Sequence, residues 1–432
     1  MKFLENLCSE DDETVYQYTE KHYWYLVNVS CLYPRLDTTN WKAISIVQFI
    51  FLFLFISYHI TTLSITAIKL LDNQILMFEV LHYIVLLVVA LFLLVDINIK
   101  RKYAAILHRY MAKGFSEYDC ETENYRNKSN EEIKNKKNKL MIIVLISYVT
   151  IAMFIFIAAP LIDSYLSDNN DQKEIYNEYG VTMNLPVKQW IPFGSDTLIK
   201  YSVAFCMQML VGGIVLALYI PADVVLFNCS VNIASELDLL IISIERLPER
   251  TLSLYRTMYG NRNVDFNKIR ENSELLNCYK ECLKQNAKHH QHIIKMFDSF
   301  FTLIGPSVFL ILSIESIIIG LSATTFVLAK GKHGARITSI AFCISEILNV
   351  FFVSWNADQI YSASQKLSMS LYSANWPLVD KSNARTILCM MIGSSEPLVM
   401  NYLNLMEINY ETFTLVMNSA YSYLNLLFAF VE

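Results

Sequence analysis

Four side chains able to ligate a transition metal crowd into one stretch: Cys282, His289, His290 and His292. They lack the fixed spacing of a zinc site and fall on what reads as a solvated amphipathic helix, so no metal centre is expected. No glycine-rich phosphate loop, nucleophile elbow or catalytic pair of carboxylates occurs. The sequence therefore offers no catalytic residue and implies no cofactor. The basic run 126–139 suits lipid head groups better than nucleic acid. More telling are Glu79, Glu315 and Glu346, each inside an otherwise apolar run. A charge at such depth is costly, so it faces a cavity or a partner. For Glu346, contact with a bound ligand and pairing within the bundle both stay open.

The elements that must hold these residues follow from composition. The chain has 432 residues, 54% hydrophobic and only 17% charged, where an average soluble domain carries about 25% charged residues. Its mean hydropathy is +0.33. The charge deficit is concentrated in seven runs, roughly 43–68, 75–97, 140–161, 201–225, 299–329, 337–357 and 411–431. Each can cross about 30 Å of hydrocarbon as a helix, the form that satisfies its own backbone there. Lysine and arginine number eleven in 98–139 and ten in 228–299, against three in 162–200 and three in 329–336. The excess marks the cytoplasmic side. The expected fold is an all-α membrane protein of seven transmembrane helices, N-terminus cytoplasmic and C-terminus extracellular. The chain reads as one domain over 1–432. Its parts are a cytoplasmic segment 1–42, an extracellular loop 162–200, a cytoplasmic loop or helical extension 228–299, and a region 358–431 of cytoplasmic anchor and last helix. No apolar leader opens the chain, so the first span is the expected targeting signal. Nine cysteines are present, none in 162–200, which implies no disulfide framework in that loop.

This inverted topology directs attention to motifs. The end of the sixth span reads Ser354-Trp355-Asn356-Ala357-Asp358, followed by Ser364, Tyr372 and Trp376. Further on stand Ser394-Ser395-Glu396-Pro397, Tyr410-Glu411-Thr412-Phe413 and a closing Ala420-Tyr421-Ser422-Tyr423-Leu424-Asn425. Leu32-Tyr33-Pro34, Leu185-Pro186, Trp190-Ile191-Pro192-Phe193 and His290-Gln291-His292 complete the series. In this order and spacing they resemble the insect odorant-receptor family over essentially the whole chain. Ser354, Ala357 and Asp358 stand where the family has Cys, Gly and Asn. Ala429 replaces a Gln kept by the gustatory receptors and by the shared co-receptor, which favours an odour-specific tuning subunit over a gustatory-type channel. A metabotropic receptor would need Asp-Arg-Tyr after span three and Asn-Pro-x-x-Tyr in span seven, and has the opposite orientation.

The resemblance implies a heterotetramer with the co-receptor in the plasma membrane of olfactory sensory neurons, bound to lipid, gated by a volatile odorant and passing cations non-selectively. It implies that the last helix lines the pore, with Ser422, Tyr423, Leu426 and Phe430 as pore and gate residues. Their i, i+3, i+4 spacing puts them near one face, polar at its inner end and apolar at its outer end, as suits a gate that dewets. The same stripe also suits ordinary helix packing. An odorant site is expected in the outer half of spans two, three, four and six, at Tyr83, Thr150, Phe154, Phe205, Met209, Phe342 and Glu346. Aromatic and methionine walls suit loose recognition of volatile ligands.

Overall fold

The computed structural model describes residues 39–113, 179–182, 185–260, 264–329 and 333–431, with isolated positions 118, 122, 124, 158 and 162. Helix α1 runs Thr39–Lys69 and α2 Gln74–Lys113. An antiparallel ribbon pairs β1 (Val181–Thr182) with β2 (Gln189–Trp190) ahead of α3, Leu198–Glu245. Helix α4 (Leu247–Tyr259) and a 3-10 turn (Phe266–Glu271) lead to α5, Ser273–Leu328. Helices α6 (His333–Ser373) and α7 (Lys381–Gly393) follow. A second ribbon, β3 (Asn401–Tyr402) with β4 (Met406–Glu407), then precedes α8, Tyr410–Val431.

Five of the seven expected spans fall inside α1, α2, α3, α5 and α6, all long and apolar enough to cross a membrane. The third, 140–161, lies outside the described residues. The seventh coincides with the 22-residue α8, whose apolar character is diluted by Asn418, Ser419, Ser422 and Asn425. Membrane burial shapes α1 visibly. Its Ser57, Thr61, Thr62, Ser64 and Thr66 hydroxyls donate to carbonyls one turn back, which satisfies them without water.

Segment 228–299 is mostly helix. Helix α3 continues to Glu245, and α5 has 56 residues, about 84 Å at 1.5 Å each, far more than the hydrocarbon needs. Two local devices mark the junction. Gly260 leaves α4 at φ +84 and ψ 173, a region that only glycine enters at low cost. Asn272 caps α5 by accepting from the Glu274 and Leu275 amides.

Here the structure departs from the solvated helix expected for the histidine stretch. Cys282, Asn286, His289, His290 and Ile293 recur at helical spacing, and that face of α5 is buried. His289 lies 2.9 Å from Glu236 through Nε2 and 2.7 Å from the Tyr118 hydroxyl through Nδ1. Arg250, on α4, donates to Asn286 Oδ1 and Gln285 Oε1, each at 2.8 Å, and its guanidinium lies over the Tyr118 ring. The cluster is a polar tie between α3, α4 and α5. Among the described residues no group of His, Cys, Asp or Glu could hold a metal ion.

Helices α5 and α8 pack tightly at Gly320. A Cβ placed there would stand 3.1 Å from the Tyr423 Cβ and 3.5 Å from the Ala420 carbonyl oxygen. Both are tied to the α8 backbone, so relief requires the helix itself to move. Gly320→Val should therefore destabilise the fold by about 1–3 kcal/mol, as overpacking does. The check is the thermal midpoint of the purified chain in detergent, and an unchanged midpoint would remove this contact from the account.

Candidate functional site

The apolar runs that make α1, α2 and α3 span-like converge with α6 around a gap in the packing. A cavity of about 120 Å³ lies there. Leu63 of α1, Leu86 and Leu87 of α2, and Val211, Val215 and Leu216 of α3 supply aliphatic walls. Tyr83 and Phe342 meet edge to face, ring centroids 5.9 Å apart, and form an aromatic corner. Val187 and Gln189 of the loop before α3 wall one side of the cavity, and His59 and Gln208 complete its rim.

The loop is seated through hydrogen bonds. Gln208 accepts from the Val187 amide at 2.9 Å and donates back to the Val187 carbonyl at 2.8 Å. It also donates to Gln189 Oε1 at 3.0 Å, and Gln189 Nε2 in turn donates to the Thr62 hydroxyl. Successive residues of an extended segment point to opposite sides, and this segment obeys that rule. Val187 and Gln189 line the cavity, whereas Lys188 turns away to Glu79, with Nζ to carboxylate distances of 2.6 and 2.7 Å. The Trp190 amide donates to the Thr66 hydroxyl at 2.9 Å, and Lys69 lies over the Trp190 ring. Farther out on the same loop, the Lys200 ammonium beside Asp196 holds that carboxyl below the usual range.

Of the expected ligand residues, Tyr83 and Phe342 line the cavity. Thr150 and Phe154 lie outside the described residues. Phe205 instead packs with Tyr201 against Leu185, Ile191 and Ala204. Met209 is half-buried and lies off the lining. Glu346 also lies off it, one helical turn beyond Phe342. It neighbours Glu315 of α5, which accepts from Asn349 Nδ2 at 2.9 Å. The sequence reading left out α1 and the loop, which contribute His59, Leu63, Val187 and Gln189. The alternation Val187-Lys188-Gln189-Trp190 was the available sign of a strand-like segment with one face inward.

On α8, Thr412, Val416 and Ala420 form the buried face. Ser422, Tyr423 and Leu426 are exposed in the single chain, and the Tyr423 Cβ lies at the α5 contact. Phe430 belongs to the last turn of the helix.

The sequence matches the family described as 7tm Odorant receptor over residues 73–421. The chain belongs to this family. Among curated relatives it is 24% identical over 246 residues to Odorant receptor Or2 of Anopheles gambiae, covering 56% of this chain and 60% of that protein. To Odorant receptor 10 of Aedes albopictus it is 28% identical over 108 residues, covering 25% of this chain and 29% of that one. The matches therefore span less than two thirds of either relative. Two structures of the insect olfactory receptor OR5 from Machilis hrabei share the fold. The one in complex with eugenol superposes with a TM-score of 0.67 at 12% identity, over 95% of this chain and 99% of that one. The other gives 0.66 at 13% identity, over 95% and 98%. This odorant-receptor chain is thus an all-α, multi-pass membrane protein of a receptor family rather than an enzyme family.

The clamp on the loop yields a direct expectation. Gln208→Leu strands both polar groups of the Val187 peptide positions in an apolar setting, at about 1–3 kcal/mol for each. Amide hydrogen exchange across 185–190 should accelerate while that of α3 stays slow. Unchanged exchange in the loop would show that the clamp does not hold it.

Proposed function

We propose that this chain is an odour-specific subunit that binds a volatile, mainly hydrophobic odorant in the cavity between α1, α2, α3 and α6. The observation that carries the reading is the cavity itself, apolar, walled on one side by a hydrogen-bonded loop, and about as large as a small volatile molecule requires. Affinity there comes from burial of apolar surface, at roughly 25 cal/mol per Å². Occupancy opens a non-selective cation pore formed with the shared co-receptor in a heterotetramer at the plasma membrane of olfactory sensory neurons. The lysine and arginine distribution supports a cytoplasmic N-terminus and an extracellular C-terminus. In that orientation the cavity lies in the outer half of the membrane.

Contacts support a route from ligand to pore. The Phe342 ring, on the cavity wall, lies 4.8 Å from the His82 ring. His82 Nδ1 is 2.9 Å from the Ser322 hydroxyl of α5. Half a turn away on α5, Gly320 abuts Tyr423 of α8. A ligand that moves Phe342 thus presses, through α2 and α5, on the helix that carries the proposed pore residues Ser422, Tyr423, Leu426 and Phe430. In this reading Leu426 and Phe430 form the constriction.

The test is current recorded from cells that express the chain with and without the co-receptor during a screen of volatile compounds. Odorant-evoked cation current is expected with the co-receptor only, and it should persist when G proteins are blocked. Val215→Trp should fill the cavity and weaken every response, while Leu426→Ala should raise the resting leak. A current that depends on G proteins, or a normal odour response in Val215→Trp, would refute the assignment.

A further inference from the structure

The polar groups around the cavity are almost all spoken for. Gln208 uses its carbonyl oxygen on the Val187 amide and its amide nitrogen on Val187 and Gln189. Gln189 gives its amide nitrogen to Thr62. Among the described lining residues the exception is His59. It is 3% exposed, it lines the cavity, and its Nε2 has no hydrogen-bond partner among the described residues. Its polar neighbours are already engaged: the Thr62 hydroxyl donates to the carbonyls of Tyr58 and His59 and accepts from Gln189, and the Gln189 side chain beside the ring pairs with Gln208 and Thr62. Buried polar atoms of native proteins are paired in the great majority. An orphan nitrogen at the rim of a ligand cavity marks where the ligand supplies the missing partner.

From this geometry, and resting on the cavity being the odorant site, we infer that His59 Nε2 selects hydroxylated volatiles, in particular compact phenols. A neutral imidazole nitrogen is a donor in one tautomer and an acceptor in the other. A hydroxyl complements both, whereas an ether or carbonyl can only accept. The rest of the ligand must match aliphatic walls and the edge-to-face corner of Tyr83 and Phe342, which suits an aromatic ring. Size agrees as well. The cavity measures about 120 Å³, and an apolar protein cavity of about 150 Å³ takes up benzene.

Para-cresol and para-xylene test this, because they differ only by hydroxyl in place of methyl. Their binding is read as ligand-dependent thermal stabilisation of the full chain in lipid nanodiscs, a measurement that does not involve gating. His59→Leu should weaken para-cresol about tenfold relative to para-xylene. His59→Gln, which keeps a polar end near the position of Nε2, should retain most of the preference. If His59→Leu does not fold, His59→Phe serves the same comparison. Val215→Trp separates the two levels of the argument, since filling the cavity should weaken both probes together. If Val215→Trp weakens both but the cresol-to-xylene ratio ignores His59, the cavity reading stands. The nitrogen is then satisfied by a trapped water, and the inference is overturned. If neither Val215→Trp nor the His59 variants change binding, or the wild type binds neither probe, both fall together.

Discussion

Hydrocarbon offers no water to a polar group, and this single constraint organises the chain. Every donor and acceptor within the slab must find a partner in the protein, at a cost of several kcal/mol if it fails. The hydroxyls of α1 answer by folding back on their own helix. The loop before α3 answers by docking its peptide groups on Gln208 and the hydroxyl of Thr66. Lys188 answers with the carboxylate of Glu79. Once these partners are subtracted, what remains among the described residues is a mainly apolar chamber whose lining carries an unpaired ring nitrogen, His59 Nε2.

The layout was legible because membrane spans announce themselves by length and apolarity. Five runs of apolar residues became helices where they were expected. Their continuation beyond the membrane was harder to see. The second half of α3 is itself apolar enough to cross a membrane, and the first half of α5 is a long amphipathic helix that packs beside it, so the charged face of α5 masked a packed interior. His289 illustrates the difficulty: its sequence neighbours are polar, yet its ring is fully buried. Whether such a helix is solvated depends on what covers it, and that information lies elsewhere in the chain.

The candidate site was legible in part for a related reason. Tyr83 and Phe342, expected as aromatic walls, both line the cavity. Phe205 and Met209 fit that chemistry equally well, but the lining of α3 follows Gln208, Val211, Gly212 and Val215. These recur at i, i+3, i+4 and i+7. Phe205 sits nearer the helix start, where loop residues Leu185 and Ile191 cover it. Glu346 shares a helix with Phe342 but lies a turn deeper, against Glu315 rather than the cavity. The residues missed, His59 and Gln189, are polar, and their role emerges only when α1 and the loop are brought together in space.

The way Gln208 grips the loop has a consequence of its own. Its carboxamide gives one hydrogen bond to Val187 and takes one from it, as the facing residue of an antiparallel strand would. The glutamine acts as a stand-in for a peptide unit and ignores the identity of the side chain it secures. Anchorage and chamber wall are thereby uncoupled at one residue. Position 187 behaves as an interchangeable tile: a larger or smaller side chain there reshapes the chamber, while the frame that carries it stays fastened.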